Sequence, residues 1–175
     1  MTLDKLRAAG PNCVVKLCGP VADRELTALE ERLGAPLPNE YRELLITHGV
    51  IYLDTDEGST SRRDGLQRVD RSEVGLDYWF SFLWPEQALH MTTTLQSLLR
   101  DAYGNGDAAS RLDRGLVFQQ GYGDSSYYVF CANENADVSI YYVDGNDSPV
   151  DLTLTAKDFA AHIDEFIERW RRFRS

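Results

Sequence analysis

The stretch "LVFQQGYGDSSYYVFCANENADVSIYYVD", residues 116–144, decides the fold class. It contains three short runs rich in β-branched and aromatic residues, separated by clusters of Gly, Asp, Asn and Ser. The runs predict strands at 116–120, 126–132 and 138–144. Because the turns between them are short, neighbouring strands are expected to run antiparallel. The stretch therefore predicts an antiparallel sheet.

Helical patterns lie on both sides of this stretch. Residues 21–34 and 37–49 predict a pair of amphipathic helices that end at Gly34 and Gly49. Helices and strands that cluster rather than alternate are typical of an α+β fold. We therefore predict one α+β domain over residues 1–175, a mainly antiparallel sheet with an N-terminal helix pair and a C-terminal helix packed on it. The other predicted elements are helices at 1–9, 92–104 and 155–174, strands at 13–19, 50–55 and 75–84, a loop at 56–65 and a linker at 105–115.

The C-terminal helix carries its own start signal and its own apolar stripe. Thr155 and Asp158 fit a Thr-x-x-Asp start, close to a capping box. Apolar side chains then recur at helical spacing, which predicts that this face packs on the sheet. They are Phe159, Ile163, Phe166, Trp170 and Phe173.

The chain is acidic. Eighteen Lys and Arg residues against 28 Asp and Glu give a net charge of -10. Such a surface repels phosphate backbones, so we do not expect direct binding to nucleic acid. It suits a basic protein partner, although acidity that serves only solubility explains the same charge.

The sequence predicts a cytoplasmic protein with no membrane contact. Apolar runs such as 78–84 fall far short of the roughly 20 residues that a membrane helix needs. The first ten residues have no apolar segment of the kind found in secretory signals. Cys13, Cys18 and Cys131 form no Cys-x-x-Cys motif, so we expect buried, reduced thiols.

The segment "GYGD" (121–124) has two interpretations. A phosphate-binding loop would need a following helix, and a Walker loop also needs a lysine, but here the chain continues as a strand. A turn explains the same residues, with Gly121 and Gly123 relieving backbone strain and Asp124 bonding to nearby amides. We therefore predict a structural turn at Gly121, Gly123 and Asp124, with catalysis by Asp124 as the lesser alternative.

The sequence shows no catalytic or metal-binding signature. His48, His90 and His162 are far apart and lack the spacing of a zinc site, so structural roles are expected for them. No Gly-x-Ser-x-Gly motif marks a nucleophile. We expect no enzymatic activity, no metal and no cofactor.

Four segments together resemble the SUKH superfamily. Residues 26–50 are similar to its N-terminal signature, 116–130 to its central strand, Gly-Asp turn and aromatic strand, 138–147 to the next strand and turn, and 154–167 to its closing helix. Gly123, Asp124 and Tyr128 carry the central match. The residues that match the N-terminal signature are Leu29, Glu30, Leu33, Gly34, Leu37, Pro38, Tyr41, Leu44, Leu45 and Gly49.

This resemblance implies protein binding rather than catalysis. Bacterial members of the superfamily are mostly immunity proteins that bind and neutralise a toxin, whereas fungal relatives act as regulatory scaffolds. We therefore expect a cytosolic immunity protein with a cognate toxin as its partner, with a non-catalytic scaffold as the alternative. The toxin and the oligomeric state are left open.

Acidic and aromatic residues in loops are the candidate contacts with a partner. Asp54, Asp56 and Glu57 follow a predicted strand, and aromatic side chains often anchor interfaces. Core packing of the tryptophans and simple solvation of the acidic residues are the competing interpretations. The aromatic candidates are Tyr78, Trp79, Trp84 and Tyr122.

Overall fold

Strands and helices pack into one α+β arrangement. The computed structural model describes residues 2–9, 13–55, 66–68, 80–104, 106–121, 125–147 and 150–174. Within these residues the helices are α1 (Thr2–Arg7), α2 (Asp23–Leu33), α3 (Asn39–His48), α4 (Pro85–Tyr103), α5 (Asp107–Arg111) and α6 (Phe159–Arg174), with a 3₁₀ helix at Leu112–Arg114. The strands are β1 (Cys13–Leu17), β2 (Ile51–Thr55), β3 (Leu66–Arg68), β4 (Phe80–Phe82), β5 (Gly115–Gln120), β6 (Ser126–Ala132), β7 (Val138–Asp144) and β8 (Leu152–Ala156).

The strands form a single sheet in the order β3-β1-β2-β4-β5-β6-β7-β8. Strands β1 and β3 run parallel, and the other neighbouring pairs are antiparallel. Helix α2 packs on β5 and β6, α4 on β5, and α6 on β7 and β8. The predicted fold class, an α+β domain with a mainly antiparallel sheet, is therefore confirmed.

The three strands predicted from residues 116–144 are present. Strands β6 and β7 have the predicted bounds, and β5 begins one residue earlier, at Gly115. The pairing of β5 with β6 shifts between Val117 and Gln119, which leaves Phe118 as the extra residue of a bulge. Such a bulge allows both Phe118 and Gln119 to be buried beside the helices.

The glycines that end the helix pair are required by the backbone. Gly34 follows α2 with a φ of 68°, and Gly49 follows α3 with a φ of 79°. At Gly49 a Cβ atom would lie 1.5 Å from the carbonyl oxygen of Gly19. Gly19 and Gly49 form an isolated β-bridge, so the end of α3 is held directly against the chain that follows β1.

Helix α4 is longer than predicted. It begins at Pro85 rather than at residue 92, and its first turn includes a hydrogen bond from the backbone N–H of Trp84 to the side chain of Gln87 (3.1 Å). Proline at the first helical position is favourable because its missing N–H would have no partner there. Residues 78–84, just before Pro85, are mostly aromatic and match a strand pattern. For this reason the sequence did not predict a helix that begins at Pro85.

Two other predictions were wrong. The predicted linker at 105–115 contains α5 and the 3₁₀ helix, which bury Ala109 and Leu112. Residues 152–156 form β8, and α6 begins at Phe159 instead of 155. Thr155 donates its hydroxyl to the carbonyl of Ile140 (3.1 Å) within the sheet, whereas Asp158 accepts the N–H of Ala161 (2.8 Å) and caps the helix.

The centre of the core is aromatic. The buried ring of Tyr41, on α3, lies 5.1–5.6 Å from the rings of four phenylalanines on the sheet and on α6. Two of them, Phe118 and Phe130, stack at 3.7 Å. The helix pair, the sheet and the C-terminal helix therefore meet at one cluster. Its members are Tyr41, Phe82, Phe118, Phe130 and Phe159.

The described helices include none long and apolar enough to cross a membrane. The Cys131 thiol is buried, as expected, and burial raises its pKa to about 12. Such a thiol stays protonated near neutral pH and is a poor nucleophile. The prediction of a buried thiol was wrong for Cys18, which is only half-buried.

Candidate protein-binding surface

The structure separates the predicted contact residues. Asp54 lies in β2, where its Cα pairs with that of Val14 on β1. Trp84 lies directly before α4. The other predicted contacts lie outside the residues that the structure describes, and they are Asp56, Glu57, Tyr78, Trp79 and Tyr122.

Trp84 belongs to the core. Its side chain is only 6% exposed and joins the buried cluster of the sheet and helices. A side chain with so little exposed surface offers almost no area to a partner. Burial therefore favours the competing interpretation for Trp84, and we remove it from the set of candidate contacts.

Gly121 is the residue of the "GYGD" segment that the structure describes, and it directly follows β5. Gly121 is buried, and its N–H donates to the carbonyl of Ser126 (2.7 Å), the first residue of β6. A Cβ atom at Gly121 would lie 2.6 Å from the Ser126 hydroxyl oxygen, so a larger residue would not fit without movement. This supports the turn interpretation at Gly121. Gly123 and Asp124 lie outside the described residues.

His162 lies deep between α6 and the sheet. Its Nε2 atom is 2.7 Å from the side-chain oxygen of Gln119, and its ring packs edge-on against Tyr128 at 4.6 Å. Burial, with a contribution from the nearby Arg169, lowers the pKa of His162 to about 3. A neutral, buried histidine of this kind holds α6 on the sheet, in line with the structural role expected from the sequence.

A cleft of about 250 Å³ opens between α1 and α3. Leu3 and Leu44 contribute apolar surface to it, and Glu40 and Glu43 contribute carboxylates. Thr2, Thr47 and His48 complete its lining. We call these residues the α1–α3 cleft.

The spacing of residues on α3 explains the mixed character of the α1–α3 cleft. Glu40, Leu44, Thr47 and His48 lie three or four residues apart, so they share one side of the helix. Leu44 is buried where this side turns towards the core, while Glu43 and Thr47 are exposed. The cleft therefore passes from an apolar floor to a charged rim.

Within the described residues, the carboxylates of the α1–α3 cleft form no ion pair. Among the described residues neither Glu40 nor Glu43 has an ion-pair partner. The nearby basic side chains pair elsewhere, Lys5 with Asp164 at 2.6 Å and Arg42 with Asp23 at 2.6 Å. As far as the described residues show, the negative charge of the cleft is therefore not compensated by an ion pair.

An apolar side chain lies next to this charge. Ile46 is 39% exposed on α3, and it lies three residues after Glu43. Interfaces between proteins combine an apolar centre with a polar rim. Ile46 and the α1–α3 cleft therefore form a surface suited to a protein partner that carries a basic side chain.

Lysine and arginine fit the α1–α3 cleft by their shape as well as their charge. Each has an aliphatic stem that packs on apolar surface and a charged head that stays with polar groups. Leu3 and Leu44 would contact the stem, and Glu40 and Glu43 the head. In the described part of the chain, no group of three or more His, Cys, Asp or Glu side chains is arranged to hold a metal ion.

Sequence reasoning missed this surface. The sequence shows Glu40, Glu43 and Thr47 at helical spacing. The same spacing is typical of an ordinary solvent-exposed helix face, so it did not indicate a binding surface. The cleft exists only because α1 packs on α3 and α6, contacts that no local pattern encodes.

Comparison with known proteins agrees with this arrangement of elements. The search of curated proteins finds no match for the chain. The model of the SMI1 / KNR4 family (SUKH-1) matches residues 20–168, which include both helices of the N-terminal pair, the central strands and most of α6. The resemblance to the SUKH superfamily is thereby confirmed, and the chain belongs to the SMI1 / KNR4 family (SUKH-1).

Proposed function

We propose that this chain is a cytosolic immunity protein that binds a cognate toxin domain and neutralises it by protein–protein contact, without catalysis. The SMI1 / KNR4 family is compatible with immunity and with regulatory roles. The observation that carries the proposal is the α1–α3 cleft. There Glu40 and Glu43 lie beside an apolar floor and form no ion pair with any described residue.

In this proposal, charge acts both before and after contact. A net charge of -10 attracts a basic toxin domain over distance and raises the rate of encounter. At contact, a lysine or arginine of the toxin enters the α1–α3 cleft, where Glu40 and Glu43 neutralise it. Ile46 supplies adjacent apolar contact. A basic surface that is covered in this way is withdrawn from the toxin's own substrate.

Toxin neutralisation can be tested in cells and with purified protein. The product of a toxin-domain gene adjacent to the gene for this chain is expressed with and without the chain, and growth and co-purification are measured. We expect rescue of growth and recovery of a complex. Growth arrest despite folded, abundant protein would count against the proposal.

Matched charge variants test the site itself. Glu40→Lys with Glu43→Lys reverses the charge of the cleft, while Glu31→Lys with Asp101→Lys makes the same change in net charge at exposed positions on α2 and α4. We expect the cleft pair to abolish rescue and the control pair to retain it. Equal effects would mean that only the total charge matters.

The alternative function is a regulatory scaffold without a toxin partner, since the family is compatible with that role too. The two functions differ in genetic context and in phenotype. An isolated gene, together with failure to rescue cells from any adjacent gene product, would favour the scaffold.

A further inference from the structure

Helix α1 contributes one wall of the α1–α3 cleft and lies outside the segment that the family model matches. Thr2 and Leu3 line the cleft from α1. The match to the SMI1 / KNR4 family begins at residue 20, so it includes α3 but not α1. The cleft therefore joins a wall that the family model describes to a wall that it does not describe.

Polar contacts hold α1 on α6. The ammonium group of Lys5 donates to both carboxylate oxygens of Asp164, at 2.6 and 2.9 Å. The guanidinium of Arg171 donates to the carbonyls of Ala8 (3.0 Å) and Ala9 (3.2 Å), at the end of α1. Arg171 also lies outside the family match, which ends at residue 168. The position of α1 is therefore set by contacts that are partly specific to this chain.

The apolar side of α1 has a buried part and an accessible part. Leu6 is fully buried, whereas Leu3, three residues earlier, is only half-buried and packs at the edge of the core. Leu3 therefore keeps accessible apolar surface within the cleft. Such a surface, with the carboxylates of Glu40 and Glu43 in the same cleft, suits a side chain that has an aliphatic stem and a positively charged head.

We propose that α1 is the element that selects the partner of this chain. Leu3 packs on the stem of the toxin's lysine or arginine whose head Glu40 and Glu43 neutralise, and α6 sets the width of the cleft by holding α1. This inference rests on the proposed function. Selection between partners is a difference in their affinities. A change in α1 alters that difference while the helices and strands matched by the family model stay the same.

A double-mutant cycle tests whether α1 and α3 contact the same side chain of the partner. The probe is the toxin domain encoded by the adjacent gene, with each exposed lysine and arginine replaced by alanine in turn. Dissociation constants are measured against the unmodified chain, Leu3→Ala and Glu43→Gln. We expect one toxin residue to couple to both substitutions, each by about threefold or more beyond the product of the single effects.

Matched substitutions of leucine separate contact from loss of folding. Leu3→Ala should bind the toxin domain about tenfold more weakly, while Leu3→Met, which keeps an apolar side chain of similar volume, should stay within about threefold of the unmodified chain. Leu98→Ala, on α4 and 60% exposed, is the control and should show neither weaker binding nor coupling. Circular dichroism shows that each variant is folded.

Exchange of the charges of Lys5 and Asp164 tests whether α6 positions α1. Lys5→Asp breaks the pair, so it should speed hydrogen exchange at Ala8, whose N–H donates to the carbonyl of Asp4 (3.0 Å). It should also raise the dissociation constant about threefold, although added negative charge by itself favours a basic toxin. Lys5→Asp with Asp164→Lys restores the pair and should restore both values. Because the pair is exposed, the melting temperature should change little.

The outcomes separate this inference from the proposed function. The inference is overturned if the unmodified chain binds the toxin domain but no lysine or arginine of the toxin couples to both Leu3→Ala and Glu43→Gln. It is also overturned if Lys5→Asp speeds exchange in α1 and leaves the dissociation constant unchanged. No binding by the unmodified chain would instead overturn the proposed function, and this inference with it.

Discussion

Acid should weaken the fold through His162, and the structure gives the size of the effect. In the folded chain, burial lowers the pKa of His162 to about 3, whereas an unfolded histidine has its ordinary pKa of about 6.5. The unfolded chain therefore binds a proton below pH 6.5 that the folded chain does not. The full unfolding free energy is therefore present above pH 6.5, and it decreases through His162 as the pH falls from 6.5 towards 3.

The loss amounts to about 1.4 kcal/mol of unfolding free energy for each pH unit in this window. Between pH 7.5 and pH 5.0, this one group should cost the fold about 2 kcal/mol. Carboxylates also titrate near the lower end, so the contribution of His162 must be isolated by comparison of variants.

Urea unfolding at pH 7.5 and pH 5.0 measures this contribution. His162→Gln keeps a polar side chain near Gln119 but cannot gain the proton, so it should lose about 2 kcal/mol less than the unmodified chain over the same pH range. His90→Gln, at an exposed position on α4, is the control and should lose as much as the unmodified chain. An identical pH dependence in the unmodified chain and His162→Gln would refute the reasoning.

Two other substitutions test the core and the end of α3. The buried hydroxyl of Tyr41 has no hydrogen-bond partner in the described residues, so Tyr41→Phe should raise the unfolding free energy by about 1 kcal/mol in thermal or urea unfolding. A loss of stability would show that the hydroxyl has a partner. Gly49→Ala should cost about 3 kcal/mol or more because its Cβ would overlap the backbone of Gly19. Gly104→Ala has a similar backbone conformation (φ 67°, ψ -148°) but nothing within 4 Å of the added Cβ, so it should cost less, about 1–3 kcal/mol from backbone strain alone. Equal losses in the two variants would contradict the steric explanation.

Much of the fold could be predicted because its strands are encoded locally. Strands β6 and β7 are rich in β-branched and aromatic residues and are bounded by turn residues, so their ends were predicted correctly. Gly34 and Gly49 marked the ends of α2 and α3 for a related reason, since a positive φ strongly favours glycine there.

The errors arose where one local signal had two explanations. Thr155 and Asp158 both suit a helix start. Thr155 instead lies in β8 because this segment pairs with β7, which the local sequence does not show. Trp84 continued an aromatic strand pattern, although its backbone lies at the start of α4.

The candidate site was less predictable than the fold. The α1–α3 cleft is lined by residues far apart in the sequence, such as Leu3 and Leu44. Among the described residues, the absence of ion pairs at Glu40 and Glu43 likewise depends on tertiary structure, since Lys5 and Arg42 pair with Asp164 and Asp23. Composition showed excess negative charge, but only tertiary structure showed where it is left uncompensated.

The affinity of the purified chain for the toxin domain encoded by the adjacent gene is the most direct test of the central claim. We expect tight one-to-one binding by isothermal titration calorimetry. Reversal of Glu40 and Glu43 to lysine should raise the dissociation constant by about tenfold or more, while the matched reversal of Glu31 and Asp101 should change it far less. No binding by the unmodified chain would contradict the proposed function, and equal binding by both variant pairs would contradict the proposed site.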